Sequence, residues 1–308
     1  MNQKIKEKKK SKNNHNARNI TIMISIFLLA IIIGILIMQR YVFFYPWHDK
    51  DSYNTLKTNT SFQEITIESN GQKLNGWLKY NTDKNKKSPL LIFFGGNMQN
   101  SSNAMLYFES SNKYNYFENY NVMMIDYPGY GLSKGGPSKD SLLKAGLNIY
   151  DYAKNLNYVD ENNITVLGYS IGSGVATYVA SERNVSGLIL IAPYDELISV
   201  YNSNFNIFYG PLRLLARYNF TSNNYAKNVK VPPLVITSYD DEVINYKFAE
   251  KLVKNFNKTY KFTTLDHQIK HNDYFNYEHT LIDIKDYLQS RINNDNNPNN
   301  NNDNTDNN

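Results

Sequence analysis

The stretch that decides the fold is residues 164–176, which read ITVLGYSIGSGVA. The first four residues are β-branched or apolar and predict a buried strand, and the small and apolar residues at the end predict a helix. Between them lies Gly168-Tyr169-Ser170-Ile171-Gly172, a Gly-x-Ser-x-Gly sequence at a strand-to-helix turn. At such a turn the serine backbone is strained, and small residues two positions before and after the serine let the strand and the helix approach each other closely. Ser170 is therefore a candidate nucleophile.

The same five residues could form an ordinary turn, because glycine and serine are common in turns. The strand before them and the helix after them favour the nucleophile interpretation. A helix N-terminus also presents free N–H groups to developing negative charge. We therefore predict that the N–H of Ile171 is one donor of an oxyanion hole.

Short apolar runs alternate with helix-period stretches over residues 45–292, which predicts an α/β domain. The expected architecture is an eight-stranded, mostly parallel sheet with flanking helices, opened by an antiparallel pair around the Asn70-Gly71 turn signal. Residues 193–231 are too long for a usual crossover, hold eight Tyr or Phe, and predict a short helical cap. Strands are expected at 64–68, 74–80, 90–94, 122–125, 164–167, 188–191, 234–237 and 260–265, and helices at 103–117, 138–156, 171–182, 246–256 and 276–291.

A serine nucleophile needs a base to take its proton and an acid to orient that base. In the chain order Ser, acid, His, the acid follows one strand and the histidine follows the next. Asp240 and Asp241 follow the strand that ends at Ser238, and His271 lies in the loop after the last strand. Taken alone, the two acids also fit a solvated turn and His271 a polar loop. Away from the N-terminal segments the candidate histidines are His267, His271 and His279.

A second oxyanion donor is expected in the loop that follows the third strand. That loop reads Gly95-Gly96-Asn97-Met98, and two glycines let the backbone approach a substrate. A tight turn is the simpler role for the same glycines. We predict the N–H of Asn97 as the second donor.

Residues 20–38 are nineteen consecutive uncharged residues, which as a helix would span about 28 Å. A cleaved secretory signal usually has a shorter apolar region followed by a small-x-small site, whereas Met38-Gln39-Arg40-Tyr41 follows here. We therefore predict an uncleaved transmembrane signal-anchor helix. A signal peptide and a buried helix of a soluble domain are the alternatives.

The positive charge is concentrated at the N-terminus. Residues 1–19 hold seven Lys or Arg and one Glu, so the rest of the chain carries 26 basic and 27 acidic residues and predicts no nucleic-acid partner. The positive-inside rule places this basic arm in the cytoplasm and the domain at 45–292 on the extracytoplasmic side. Residues 293–308 are Asn-rich and predict a disordered tail. With no Cys and no His pair at ligand spacing, the sequence predicts no metal site, and it identifies no protein partner.

Four motifs together resemble the α/β-hydrolase superfamily, and most of all its single-pass, membrane-anchored branch of α/β-hydrolase-domain-containing lipid hydrolases. They are the strand and loop at 91–97, the Asp-Tyr-x-Gly-x-Gly-x-Ser turn at 126–133, the Gly-x-Ser-x-Gly turn at 168–172, and the stretches at 241–244 and 271–273. The resemblance favours Asp241 over Asp240 and His271 over His267. The chain departs from the family pattern in having Gly95 where His is usual, Asn245 where Pro is usual, and Ile269-Lys270 where glycines often precede the histidine.

The resemblance implies a serine hydrolase that needs no cofactor and cleaves acyl esters or thioesters with Ser170, His271 and Asp241. The anchor and the aromatic cap favour lipid-like substrates, because apolar clefts bind acyl chains. Two other functions remain open: a peptidase of the same fold, and a catalytically silent scaffold that acts as a binding protein.

Overall fold

A computed structural model describes residues 2–81, 83, 86–266 and 268–296, with side chains from residue 14 onward except those of 204 and 293–296. Within these residues, eight strands form one sheet in the order β1-β2-β4-β3-β5-β6-β7-β8. The pairs β1–β2 and β2–β4 are antiparallel and the others are parallel, which confirms the predicted mostly parallel sheet. The strands are β1 (Phe62–Ser69), β2 (Gln72–Lys79), β3 (Ser88–Phe94), β4 (Asn121–Ile125), β5 (Val159–Tyr169), β6 (Gly187–Ile191), β7 (Leu234–Ser238) and β8 (Lys261–Leu265).

Helices cover both faces of the sheet. They are α1 (Asn2–Phe43), α2 (Lys50–Thr58), α3 (Ser101–Ser110), α4 (Lys139–Lys154), α5 (Ile171–Glu182), α6 (Leu197–Phe205), α7 (Ser222–Ala226), α8 (Tyr246–Val253) and α9 (Glu278–Asn296), with 3₁₀ turns at Lys113–Phe117, Gly210–Leu215 and Tyr274–Asn276. The short α2 was not predicted. The helix expected at 103–117 is interrupted, because Asn112 has a left-handed φ of 53° between α3 and the first 3₁₀ turn.

The central strand β3 shows why an unbroken apolar run predicts a strand here. Leu90, Ile92 and Phe94 pack into the core on the side of α4 and α5, and Leu91 and Phe93 pack into the core on the side of α3 and α9. Successive side chains of a strand point to opposite faces, so a strand covered on both faces is apolar throughout. The β1–β2 hairpin turns at Asn70-Gly71, where both residues have positive φ as a tight two-residue hairpin turn requires.

The N-terminal helix α1 contains a candidate membrane span, Asn14–Phe43, by length and composition. The predicted span at 20–38 lies inside it, and the apolar side chains of that stretch are largely exposed. The last turn of α1 packs on the domain, where Phe43 and Phe44 are buried. At the other end of the chain, α9 continues to Asn296, so residues 293–296 of the expected disordered tail are helical; residues 297–308 lie outside the described part.

The turn after β4 is built around the buried carboxyl group of Asp126. Its Oδ1 accepts a hydrogen bond of 2.5 Å from the N–H of Ser101, at the start of α3, and its main-chain oxygen accepts one from the hydroxyl of Ser133. Gly131, at φ +49°, lies so close to this carboxyl group that a Cβ would overlap it. The glycine in this motif is therefore required by the packing of the turn.

Burial raises the pKa of Asp126 to about 6 from an ordinary value of 3.8. Between about pH 4 and pH 6 the carboxyl group of Asp126 keeps its proton in the folded chain but loses it in the unfolded chain. The free energy of unfolding contributed by this group therefore falls as the pH rises through that range. We expect Asp126→Asn, which retains an acceptor for the Ser101 N–H, to remove this part of the pH dependence, on the order of 3 kcal/mol. Denaturant unfolding of both full-length chains in detergent from pH 4 to 7 measures it, and parallel stability profiles would contradict the assignment.

Candidate active site

The sharp turn between β5 and α5 holds Ser170 in an unusual backbone conformation, with φ 55° and ψ −123°. Its N–H donates to the carbonyl oxygen of Ile191 in β6, which fixes the turn against the sheet. A Cβ on Gly168 would overlap the carbonyl oxygen of Gly172, and a Cβ on Gly172 would overlap that of Phe94. The two glycines are thus needed for α5 to begin directly over the end of β3.

Three of the predicted side chains lie in hydrogen-bond contact, although they are far apart in sequence. His271 Nε2 lies 3.0 Å from Ser170 Oγ, and His271 Nδ1 lies 2.9 Å from Asp241 Oδ2 and 3.1 Å from Oδ1. Because a carboxylate only accepts, Nδ1 carries the proton and Nε2 is left to accept from the serine hydroxyl. This is the arrangement that can remove a proton from a serine hydroxyl.

The carboxyl group of Asp241 is fully buried and has donors besides the imidazole. The N–H groups of Val243 and Ile244 donate to Oδ1 at 2.9 and 2.7 Å, and the hydroxyl of Tyr274 donates to Oδ2 at 2.9 Å. These donors fix the orientation of the carboxyl group. The neighbouring Asp240 instead accepts from the N–H of Gln268 and has no bond to the imidazole.

The main chain and ring of His271 are held by two residues that the sequence analysis did not identify. The hydroxyl of Tyr169 donates to the carbonyl oxygen of His271 at 2.5 Å, and the two rings stack with centroids 5.3 Å apart. The N–H of His271 donates to Glu242 Oε2 at 3.1 Å. Tyr274 was missed as well, although it is buried only three residues after the histidine. Their nearness in sequence to predicted site residues could have drawn attention to them: Tyr169 and Glu242 are next to Ser170 and Asp241, and Tyr274 is three residues after His271. Their hydrogen-bond partners, however, lie in other loops, which the sequence does not show.

Neither His279 nor His48 takes part in this cluster. His279 is exposed on α9, and His48 Nδ1 donates to the carbonyl oxygen of Gly131. His267 lies outside the described residues. In the part of the chain that the structure describes, no group of three or more His, Asp or Glu side chains is placed to hold a metal ion.

The two predicted oxyanion donors, Asn97 and Ile171, line the same cavity as Ser170. Ile171 is the first residue of α5, and N–H groups in the first turn of a helix have no acceptor within it. The side chain of Asn97 is held at its Oδ1 by the hydroxyl of Tyr130 at 2.7 Å and by the N–H of Tyr45 at 3.0 Å. The loop is therefore tied to the segment that follows α1.

Gly95, where the family pattern has His, lies in a closely packed loop. A Cβ at this position would lie 2.5 Å from Cε of Met124, and the carbonyl oxygen of Gly95 accepts from the hydroxyl of Tyr127. In the same loop the N–H of Gly96 donates to Gln99 Oε1 at 2.8 Å. The loop is closed by these contacts without a side chain at position 95.

The cavity beside Ser170 has a volume of about 360 Å³, within the range of small-molecule sites. Away from the cluster its wall is mostly apolar. It includes Val42 of α1, Ile244, and a group from the cap helix α6: Leu197, Val200, Tyr201 and Phe205. A short apolar chain with one polar end fits this distribution.

A family model for the α/β hydrolase fold matches residues 89–210. The chain is 26% identical over 192 residues to an uncharacterized protein of Mycobacterium tuberculosis, covering 62% of this chain and 66% of that protein. It is 27% identical over 149 residues to the lysophosphatidylserine lipase ABHD12 of Xenopus tropicalis, covering 43% of this chain and 38% of that protein. The matches thus span less than two thirds of the length of these relatives.

Solved esterases share the fold. An esterase of Pyrococcus furiosus superposes with a TM-score of 0.61 at 17% identity, covering 80% of this chain and 96% of that one. Est1E from Butyrivibrio proteoclasticus superposes with a TM-score of 0.59 at 19% identity, covering 74% and 99%. With the sheet order, the sharp turn at Ser170 and the family-model match, these superpositions show that the chain has the α/β-hydrolase fold.

Proposed function

We propose that this chain is a membrane-anchored serine hydrolase that cleaves acyl ester or thioester bonds of lipid-like substrates. The observation that carries the proposal is the pair of hydrogen bonds that joins Ser170 Oγ to His271 and His271 to Asp241 beside an apolar cavity. The esterase and lipase names among the similar proteins support the same class of reaction.

In the proposed reaction, Ser170 Oγ attacks the acyl carbonyl carbon while its proton passes to His271 Nε2. The carbonyl π electrons move to the oxygen, which the N–H groups of Asn97 and Ile171 stabilise. Asp241 orients the ring and stabilises the imidazolium that forms.

The tetrahedral intermediate then collapses, and the bond from carbon to the leaving oxygen or sulfur breaks. His271 gives its proton to the leaving group, which departs as an alcohol or thiol and leaves an acyl ester on Ser170. A water molecule attacks this ester, passing its proton to His271, and the serine regains the proton as the acid is released. No cofactor takes part in these steps.

The domain organisation is also a proposal. The basic residues at the N-terminal end of α1, ahead of its apolar stretch, support a cytoplasmic arm at 1–19, a membrane span at 20–38 and a hydrolase domain at 45–292 on the extracytoplasmic side, with the disordered tail beginning only after the helical residues 293–296. Under this organisation the cavity, lined in part by Val42, lies close to the bilayer.

We expect a fluorophosphonate probe to label the full-length protein and to give no signal with Ser170→Ala, because the probe forms a bond only with an activated serine. Ser110→Ala, which changes an exposed serine on α3, is the matched control and should label fully. Absence of labelling in a folded wild-type chain would favour the silent scaffold.

Acyl esters should be hydrolysed faster as the acyl chain of the substrate is lengthened, until that chain fills the cavity. Each buried methylene contributes about 0.8 kcal/mol, which corresponds to roughly fourfold in kcat/KM. A panel of short and long acyl esters, thioesters, lysophospholipids and peptides measures this trend. Turnover of peptides alone would contradict the lipid-like substrate while retaining the nucleophile.

Removing the hydroxyl of Tyr274 should lower kcat by roughly tenfold, because a hydrogen bond to a charged group contributes about 1.5–3 kcal/mol. KM should change little, since Tyr274 does not line the cavity. Steady-state kinetics of Tyr274→Phe provide the measurement. Tyr114→Phe, which removes a buried hydroxyl bonded to Met105, is the control for loss of stability. An equal fall in kcat in both variants would contradict a positioning role for Tyr274.

A further inference from the structure

One edge of the cap exposes a group of large apolar side chains. We call it the cap edge: Phe205, Ile207, Tyr209, Leu212 and Leu214. Leu214 is the extreme case, with 91% of its surface exposed. Single exposed apolar residues are common, but five large ones within the ten residues 205–214 indicate a surface that binds something apolar.

The cap edge lies beside the end of the apolar stretch of α1. Gln39, the first residue after that stretch, is buried, and its side chain bonds the cap twice: Nε2 donates to the carbonyl oxygen of Leu215 at 2.7 Å, and Oε1 accepts from the N–H of Arg217 at 2.9 Å. One turn later, the ring of Phe43 stacks on Tyr201 of α6 at 3.8 Å. The anchor helix and the cap are thus packed together at the level where the span ends.

The composition of this stretch fits the surface of a bilayer. Residues 205–217 contain two exposed arginines and no Asp or Glu; Arg213 pairs with Glu196 at the start of α6, and Arg217 has no ion pair among the described residues. Arginine side chains lay their apolar stems on lipid while their charged ends reach the headgroups, and Tyr and Trp favour the same depth. Tyr41 and Trp47, just beyond the span, are exposed as well.

The cavity of the candidate active site opens next to this edge. Phe205 belongs both to the cap edge and to the cavity wall, and Met98 and Tyr45 line the cavity with it. Met98 and Tyr45 also border a second hollow of about 530 Å³, formed with Tyr41 and Trp47. An apolar path therefore leads from the end of α1 towards Ser170.

We propose that the cap edge is a bilayer-binding surface that inserts into the interface of the membrane crossed by α1. An acyl chain then passes from this bilayer along the end of α1 into the cavity. The insertion rests on the proposed membrane anchor alone, whereas the passage of the acyl chain rests on the proposed hydrolase activity as well.

The chain has no cysteine, so Leu214→Cys can carry one environment-sensitive fluorophore. Ile282→Cys, at an exposed position of α9 on the opposite side of the sheet, is the matched control. With the full-length protein in vesicles of phosphatidylcholine and phosphatidylglycerol, nitroxide-labelled lipids should quench the label at 214 several times more strongly than the label at 282. Equal quenching of the two labels would overturn the insertion. So would a blue-shifted emission of the label at 214 that lipid nitroxides do not quench, a result that would indicate contact with another copy of the chain.

The passage of substrate is tested with the double substitution Leu212→Asp and Leu214→Asp. Hydrolysis of a long-chain lysophospholipid embedded in vesicles should fall on the order of tenfold, because the charged edge no longer enters the interface. Hydrolysis of a water-soluble butyrate ester should be unchanged. An equal fall for both substrates would overturn the passage, and a wild type inactive on both would contradict the proposed function while the quenching result still decides the insertion.

Discussion

The close approach of Gly172 to the carbonyl oxygen of Phe94 is the constraint on which the rest of the site depends. Only because no Cβ is present can α5 begin directly over the end of β3. The turn between β5 and α5 then holds Ser170 at a positive φ, a backbone conformation that costs on the order of 1–3 kcal/mol. Burial of the β5 and α5 side chains in the surrounding core offsets the free-energy cost of this backbone strain. The position of the Ser170 hydroxyl is therefore set by the packing of the whole sheet.

The sheet topology explains why residues from four distant segments meet. Asn97 follows β3, Ser170 follows β5, Asp241 follows β7 and His271 lies in the loop after β8. These strands are parallel, so their carboxyl ends lie at one edge of the sheet, where ligands bind in open α/β folds. The convergence is therefore a consequence of strand direction, and each loop needs only to place one residue.

The sequence predicted the parts that depend on local pattern. The central strands could be recognised because a strand buried on both faces is apolar throughout, and the β5–α5 turn because its glycines are sterically required. Spacing alone left Asp240 and Asp241 equivalent; the resemblance favoured Asp241, and the geometry agrees, since Asp241 bonds the imidazole whereas Asp240 bonds the N–H of Gln268. The contacts of Tyr274 and Gln39 could not be predicted, because each joins segments that no local pattern relates.

The segment after α1 connects this helix to the candidate site. The N–H of Tyr45, two residues beyond the end of α1, donates to Oδ1 of Asn97, whose own N–H is a proposed oxyanion donor. Phe43 and Gln39 fix the same end of the helix to the segment 193–231, whose helix α6 forms part of the cavity wall. A rotation of α1 against the domain would therefore strain the cap and the Asn97 loop together. The end of α1 is thus part of the wall of the site, and its packing places the cavity beside the end of the apolar stretch of the helix.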